Sequence, residues 1–406
     1  MTRRRRVQKR NGRRTPTLRD YLRQIPSPPK EHEHELKMER LLKRLVRKSR
    51  GLSQGELRYY SRQIMLDAVG YDGQIRLKDA RVCIVGMGGL GSAVATQLAA
   101  MGVGGMRLVD RDIVEESNLQ RQHLYDFDVL RLPKVEAAAK RLKKLNPYVR
   151  LEPLPVSFSE GNAKELLSEM DVIVDGLDNM NTRYAVNRAC VKSGVPYVFG
   201  SAISTYGNVC TIVPGVTACL ECFYGRLDDS RLPTCGSIGV HPSVISIVAS
   251  VEATEAVKIL LGTKPSLGNK MLYCDVDSMR FEEIGVVRAE SCPVCGSRPR
   301  GKPSPLKQTL VMEGCGRKNR RVFTVVPKEN LGLDTKEVAA LLKGEAISIH
   351  ATTKLGVAFS VEKGVEASIL SSGVMVIEGA GDESEALSLY RAIVVNKAGI
   401  PWSRIK

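Results

Sequence analysis

Between Arg81 and Arg107 the chain runs 25 residues, Val82–Met106, without a charged side chain. An apolar run of that length is enough to cross a bilayer as a helix. Its internal order argues otherwise. An apolar strand-like stretch, Arg81–Gly86, leads into the cluster Gly86-Met87-Gly88-Gly89-Leu90-Gly91, and helix-forming residues follow from Leu90 to Met101. Seven of the 25 residues are glycine, far more than a spanning helix needs. A strand, a glycine turn and a helix in that order form a buried unit. Its backbone can approach phosphates, and its helix N-terminus offers unpaired N–H groups. Asp110 ends the next predicted strand, 19 residues after Gly91, where an acid would meet ribose hydroxyls. On its own this pattern fits either NAD or ATP.

The rest of the chain extends the alternation. Predicted strands at Met106–Asp110, Val149–Pro153, Asp171–Leu177 and Tyr197–Gly200 are separated by predicted helices at Lys134–Leu145, Ala163–Ser168 and Arg183–Ser193. Such spacing implies a doubly wound, Rossmann-like parallel sheet in an α/β fold. After Asn208 strands follow without helices between them (Asn208–Val213, Met271–Asp275, Arg280–Val287), except for one long helix over Pro242–Leu261. The spacing predicts an adenosine-binding domain over 51–297, a Pro/Lys/Arg-rich linker over 298–321 and a small α+β domain over 322–406. No internal repeat is present.

Charge is concentrated in the first 50 residues, which hold 18 Lys+Arg against 5 Asp+Glu; the other 356 hold 43 against 39. The net charge of +17 is therefore mostly a property of a tail, which argues against a nucleic-acid-binding surface spread over the whole protein and leaves contact by the basic tail open. Residues 1–30 are expected to be disordered. An amphipathic helix is expected over 31–49, where Met38, Leu41, Leu42, Leu45 and Val46 share one face, either packed on its own domain or docking a partner. The tail contains no apolar h-region, so a secretory signal is not expected, and the expected location is cytoplasmic.

Ten cysteines in 406 residues do not make a disulfide scaffold. Four fall in two pairs, Cys219-x-x-Cys222 and Cys292-Pro-Val-Cys295. A four-thiolate set without an open position suits structural zinc. Cys83, Cys190, Cys210 and Cys274 lie in apolar contexts and are expected in the core. Cys235 is different: it lies in Pro233-Thr234-Cys235-Gly236, just ahead of the Pro242 helix. A thiol there can have a lowered pKa and act as a nucleophile; an ordinary loop thiol is the other reading.

Cations and amides gather at the predicted strand ends. Asn118-Leu119-Gln120-Arg121-Gln122 follows the strand that ends in Asp110. Lys134 opens a helix after Pro133, Asp178-Asn179 follows the Asp171–Leu177 strand, and Arg62 lies upstream in Tyr60-Ser61-Arg62-Gln63. Hydride transfer needs no such collection, whereas displacement at a triphosphate needs cations for developing charge and a carboxylate for magnesium.

These motifs, with Asp72-Gly73-Gln74 and the cysteine pairs, resemble the ThiF/MoeB/HesA branch of the ubiquitin-activating enzyme superfamily over roughly residues 51–297. The resemblance implies an ATP-dependent enzyme that adenylates the C-terminal glycine carboxylate of a ubiquitin-fold modifier or sulfur-carrier protein, with transfer to a cysteine thiol as a further step. It implies Gly86, Gly88, Gly89 and Gly91 as the nucleotide loop, Asp110 on ribose, and Asn118, Arg121 and Lys134 on phosphates. It also implies Asp178, with Asn179 beside it, on magnesium, and Arg62 as an arginine finger, in many members reaching across a homodimer. A conjugating enzyme or a sulfur donor would be a further partner. Tyr59 and Leu177 depart from the family's usual Arg and Thr at those places. Two alternatives stay open from the sequence: a tRNA-modifying member of the same superfamily, which the basic tail favours, and an NAD-dependent oxidoreductase, which only the glycine loop supports.

Overall fold

The computed structural model describes residues 51–406, apart from 234, 308, 316–319, 344–346 and 362–363. The basic tail and the expected helix over 31–49 lie outside the described residues.

Helices α1 (Gln54–Tyr59) and α2 (Gly70–Asp79), with a one-turn helix at Ser61–Ile64 between them, precede the first sheet. The Rossmann-like half then runs β1 (Arg81–Val85), α3 (Gly89–Met101), β2 (Gly105–Val109), α4 (Lys134–Leu145), β3 (Arg150–Leu154), α5 (Ala163–Leu167), β4 (Val172–Asp175), α6 (Met180–Ser193) and β5 (Tyr197–Ile203). The second half adds β6 (Tyr206–Ile212), α7 (Pro242–Leu260), β7 (Lys270–Asp275) and β8 (Arg280–Gly285). The sheet order is β3-β2-β1-β4-β5-β6-β7-β8. Strands through β5 are parallel, and β6, β7 and β8 extend the sheet antiparallel. The fold class expected from sequence is the one observed.

Helix positions follow local chemistry. In α4, Val135, Ala138 and Leu142 recur at helical spacing and are buried, while Lys140, Arg141 and Lys144 face solvent. α7 starts at Pro242, which has no N–H to leave unpaired. The His241 side chain accepts from Ser243 N at 3.2 Å and caps it. α6 begins three residues before the expected Arg183, because two side chains take up its first N–H groups. Asn179 Oδ1 accepts from Thr182 N, and Asp229 accepts from Met180 N and Asn181 N.

The first sheet has a core on each face. Val82, Ile84, Leu108, Val174 and Val198 pack with α3, α4 and α7; Cys83, Val85, Ile173, Phe199 and Cys210 pack with α5, α6 and the cysteine pairs. Cys83, Cys190, Cys210 and Cys274 are all buried, as expected.

A second sheet is wholly antiparallel. It comprises β9 (Val311–Cys315), β10 (Arg321–Val325), β11 (Ile347–Thr352), β12 (Gly356–Val361), β13 (Val365–Leu370) and β14 (Met375–Glu378), in the order β11-β12-β13-β14-β10-β9. Helices α8 (Thr335–Leu342) and α9 (Glu383–Tyr390) cover one face around Phe323, Phe359, Ile369 and Tyr390. β9 falls inside the stretch expected as linker. Its order comes from pairing with β10 along its whole length, a contact that its own composition does not announce. No described helix is long and apolar enough to cross a membrane.

Candidate active site

The glycine loop is set by backbone contact. Gly86 has φ +92°, and a Cβ there would lie 2.4 Å from the Gly176 carbonyl oxygen. A Cβ on Gly91 would lie 1.8 Å from the Gly86 carbonyl oxygen. The ends of β1 and β4 therefore meet with no room for side chains. No side chain caps α3 at Gly88, so its first N–H groups remain available at the loop.

Asp110 anchors this loop. Its carboxylate accepts from Met87 N at 2.6 Å and from Asp112 N at 2.7 Å. Tyr125 Oη donates to the Met87 carbonyl at 2.7 Å from the other side. Burial and the neighbouring Asp112 push the Asp110 carboxyl above its ordinary range. Desolvation also pushes up the half-exposed Asp112 carboxyl, yet Lys134 and Arg111 outweigh that and hold it low. Lys134 is buried and lies 3.2 Å from Asp112 Oδ2. Burial works to lower its pKa, but Asp112, Asp110 and Glu115 raise it, so the ammonium stays charged.

Two buried amides point to a ligand. Asn118 Oδ1 and Gln122 Oε1 have no hydrogen-bond partner among the described residues. Gln122 reaches the loop: its Nε2 lies 3.7 Å from where a Cβ on Gly88 would be. Buried amide oxygens without donors are costly unless something supplies them. A nucleotide hydroxyl or amine would do so, and a flipped amide would present its NH₂ to a phosphate. Arg121, half-buried, donates to the Ser117 carbonyl. Asp178 is exposed, and among the described residues its Oδ1 accepts only from its neighbour Asn179, at 3.1 Å. The donor set thus fits an adenosine triphosphate with a divalent cation.

The chain does not bring Arg62 to this group. Gln63 Nε2 donates to the Met101 carbonyl, and Gln74 Nε2 donates to the same oxygen. That carbonyl ends α3, whose 13 residues place it about 20 Å from the glycine loop. The Tyr60–Gln63 and Asp72–Gln74 motifs are therefore docking elements for the far end of α3. Arg62 among them is exposed and makes no ion pair among the described residues.

The cysteine pairs do converge. Sγ atoms of Cys219, Cys222, Cys292 and Cys295 all lie within 4.8 Å of one another. The separations Cys219–Cys222, Cys219–Cys292 and Cys222–Cys295 are 3.9, 3.7 and 3.3 Å. Four sulfurs at about 2.3 Å from a tetrahedral ion would stand about 3.8 Å apart. The cluster is a four-cysteine group with a spacing that fits a tetrahedral metal ion, and it brings residues 292–295 onto residues 219–222. For Cys235, the backbone lies in a one-turn helix, Cys235–Ile238, and its side chain is outside the described residues.

Sequence reading missed a buried network beneath the site. Asp175 has no exposed surface and accepts from Arg183 Nε, Tyr197 Oη and Leu177 N. Arg183 also donates to the carbonyls of Leu177 and Gly200. An acid at a strand end with an Arg eight residues on was the available signal.

Comparison with known proteins agrees with this geometry. The model of the ThiF family matches residues 60–294. The SAMP-activating enzyme E1 of Haloferax volcanii is 39% identical over 242 residues, covering 59% of this chain and 89% of that one. The sulfur carrier protein ThiS adenylyltransferase of Bacillus subtilis is 34% identical over 336 residues, 82% of this chain and 97% of that one. This second match is longer than residues 1–297, so it takes in part of the C-terminal domain. The crystal structure of E. coli MccB with MccA-N7isoASN superposes with a TM-score of 0.53 at 25% identity, covering 69% of this chain and 86% of that one. With the family model spanning more than half its length, this chain belongs to the ThiF family.

Proposed function

We propose that this protein is an ATP-dependent adenylyltransferase that activates the C-terminal glycine carboxylate of a ubiquitin-fold carrier or modifier protein. The observation that carries the reading is the convergence of the uncapped α3 N-terminus with Lys134 and the two orphaned amides of Asn118 and Gln122. The relatives' names supply the acceptor class.

The carboxylate needs no general base. Its oxygen attacks the α-phosphorus, the bond from that phosphorus to the α–β bridging oxygen breaks, and pyrophosphate leaves with the electron pair. The barrier is the approach of two anions, which positioning and cations lower. The turn formed by Gly86, Gly88, Gly89 and Gly91 would bring the N–H groups at the α3 N-terminus to the phosphates, while Gly86 N itself donates to the Val109 carbonyl, and Asn118, Arg121 and Lys134 would bind the phosphate oxygens. Asp110 keeps lone pairs free for ribose hydroxyls while it anchors the loop. Asp178 and Asn179 would hold magnesium, which neutralises triphosphate charge when bound. Because Arg62 sits at the far end of α3, we assign it to the site of a partner copy, in a homodimer. The four cysteines would hold zinc as a structural ion. Cys235 would take the activated carboxyl as a thioester, its sulfur attacking the carbonyl carbon as AMP leaves, for passage to a conjugating enzyme; an acyl-disulfide would form instead only where Cys235 already carries a persulfide sulfur from a sulfur donor.

Pyrophosphate exchange from ATP, run separately with ubiquitin-fold carriers and with tRNA, tests this. Carrier-dependent exchange is expected. Exchange that depends on tRNA and ignores every carrier would replace the protein acceptor with an RNA one.

A further inference from the structure

The C-terminal domain is built onto the segment that delivers Lys134. The turn between β11 and β12 reaches the first turn of α4, where Glu136 accepts three hydrogen bonds from it. Thr353 Oγ1 donates at 2.7 Å, Lys354 N at 3.2 Å and Leu355 N at 3.0 Å. Gly356 follows directly. A Cβ there would lie 2.8 Å from Pro133 Cγ, so the turn's backbone rests against the proline preceding Lys134. Leu355 packs on the first domain's core. Arg131 pairs with Glu366, and Ser368 Oγ donates to the Arg131 carbonyl. Further along, Ser372 Oγ donates to the Pro155 carbonyl at the end of β3. The sheet face carrying Ser368 also carries Ala358, Leu370 and Val376, which are buried although α8 and α9 cover the opposite face. The domain is thus seated on residues 131–136 and 155, next to the carboxyl ends of β2 and β3.

On the phosphate side, the same short segment is tied to residues 112–114. Arg131 N donates to the Val114 carbonyl, Val114 N to the Leu132 carbonyl and Lys134 N to the Asp112 carbonyl, Lys134 Nζ donates to Asp112 Oδ2, and Pro133 bridges Ile113. Arg131, two residues before Pro133, sits at φ +67°, a conformation that a non-glycine residue holds only when its surroundings impose it. The contacts of Glu366 and Ser368 fall on that residue.

We propose that the C-terminal domain is a positioning clamp for the nucleotide site: through Glu136, Pro133 and Arg131 it fixes where α4 begins, and so where the Lys134 ammonium stands. Glu136 is the positioning residue, acting through Lys134. This rests on the assignment of Lys134 to phosphate. Carboxylate bonds to backbone N–H groups are short-range and directional, so losing them frees the first turn of α4 to shift. Displacement of a positioned group by about 1 Å can cost about 100-fold in rate.

The test compares Glu136→Ala, Glu136→Gln and Thr353→Val in the full chain by ATP binding at equilibrium and by carrier-dependent pyrophosphate exchange. Glu136→Ala is expected to weaken ATP binding and lower kcat/KM for ATP by about 10-fold or more, with the KM for carrier unchanged. Glu136→Gln, which keeps one acceptor oxygen, should recover part of the loss. Thr353→Val removes one donor without disturbing the carboxylate, so it covers the case in which Glu136→Ala does not fold. In a Lys134→Ala background the Glu136→Ala effect should disappear, since it acts through that amine. An undiminished effect in that background, or full ATP affinity in folded Glu136→Ala and Thr353→Val, overturns the clamp. If the enzyme binds ATP normally but exchanges with no carrier, the function assigned above fails, while the binding measurements still decide the clamp. If it binds no ATP, both fail.

Discussion

Replacing Asp175 with alanine would strand the Arg183 guanidinium in the core. The pair is enclosed: Asp175 has no exposed surface, and the Arg183 side chain retains 8%. Arg183 would keep its bonds to the Leu177 and Gly200 carbonyls but lose its counter-charge, and it cannot shed its proton. Breaking a buried pair from one side costs about 3–5 kcal/mol. The Tyr197 hydroxyl would lose its acceptor as well, adding about 1–3 kcal/mol. For a domain of this size each kcal/mol lowers Tm by about 2–4 °C, so Asp175→Ala should melt about 10–20 °C below the parent.

Arg183→Met removes the other partner, and its cost should depend on pH. Burial already pushes the Asp175 carboxyl upward against the pull of Arg183, and without that pull it rises further. A carboxyl whose folded pKa is raised binds its proton more tightly in the folded chain. Its contribution is fully present below the unfolded value of about 4 and declines as pH rises toward the folded one. Thermal unfolding at pH 5.5 and 7.5 measures both effects. Arg183→Met should lose more stability than the parent between those values, and Asp175→Ala should be the worse variant at pH 5.5. A melting point for Asp175→Ala within about 3 °C of the parent would refute the reasoning, since it would mean that the guanidinium finds water or another partner.

Three further outcomes follow from the site. Asp178→Ala should abolish pyrophosphate exchange with melting temperature and bound zinc unchanged, because the side chain is exposed and bonds only to its neighbour; normal exchange would remove it from the magnesium role. Stripping metal with a chelator, or Cys292→Ser, should lower the melting temperature sharply, since the four thiolates join residues 219–222 to 292–295; metal analysis showing no zinc in the parent would count against the assignment. Cys235→Ala should preserve exchange while eliminating a thiol-sensitive adduct with the carrier; a parent enzyme that forms no adduct with or without reductant would rule out thiol transfer.

The strand and helix alternation was legible because its signals are local: apolar runs, glycine punctuation, and prolines at helix starts. Lys134–Leu145 carries its own start signal and its own buried stripe, and the observed helix has the expected ends. The cysteine set was legible for a different reason, since C-x-x-C spacing already states the chemistry. β9 was hidden because its order is borrowed from β10, with which it pairs along its whole length. Glu136 was hidden more deeply. Its three donors lie 217 to 219 residues away, and nothing about a glutamate in a first helical turn distinguishes a latch from an ordinary capping charge. Arg62 shows a further limit: the family motif implied a role at the phosphates, while the fold places the motif at the far end of α3 from the glycine loop.

The contact between Gly86, Gly91 and Gly176 has a consequence for genetic repair. A Cβ on Gly176 would lie 2.2 Å from the Gly86 carbonyl oxygen, just as one on Gly86 or Gly91 would strike backbone rather than a side chain. A lesion that collides with a side chain can be suppressed by shortening that side chain at a second site. Here the obstacle is main chain on both sides, and no substitution removes a carbonyl. A selection for revertants of Gly86→Ala, Gly91→Ala or Gly176→Ala should therefore return true reversions to glycine, whereas a lesion at Gly356, which meets the Pro133 ring, leaves room for second-site suppressors.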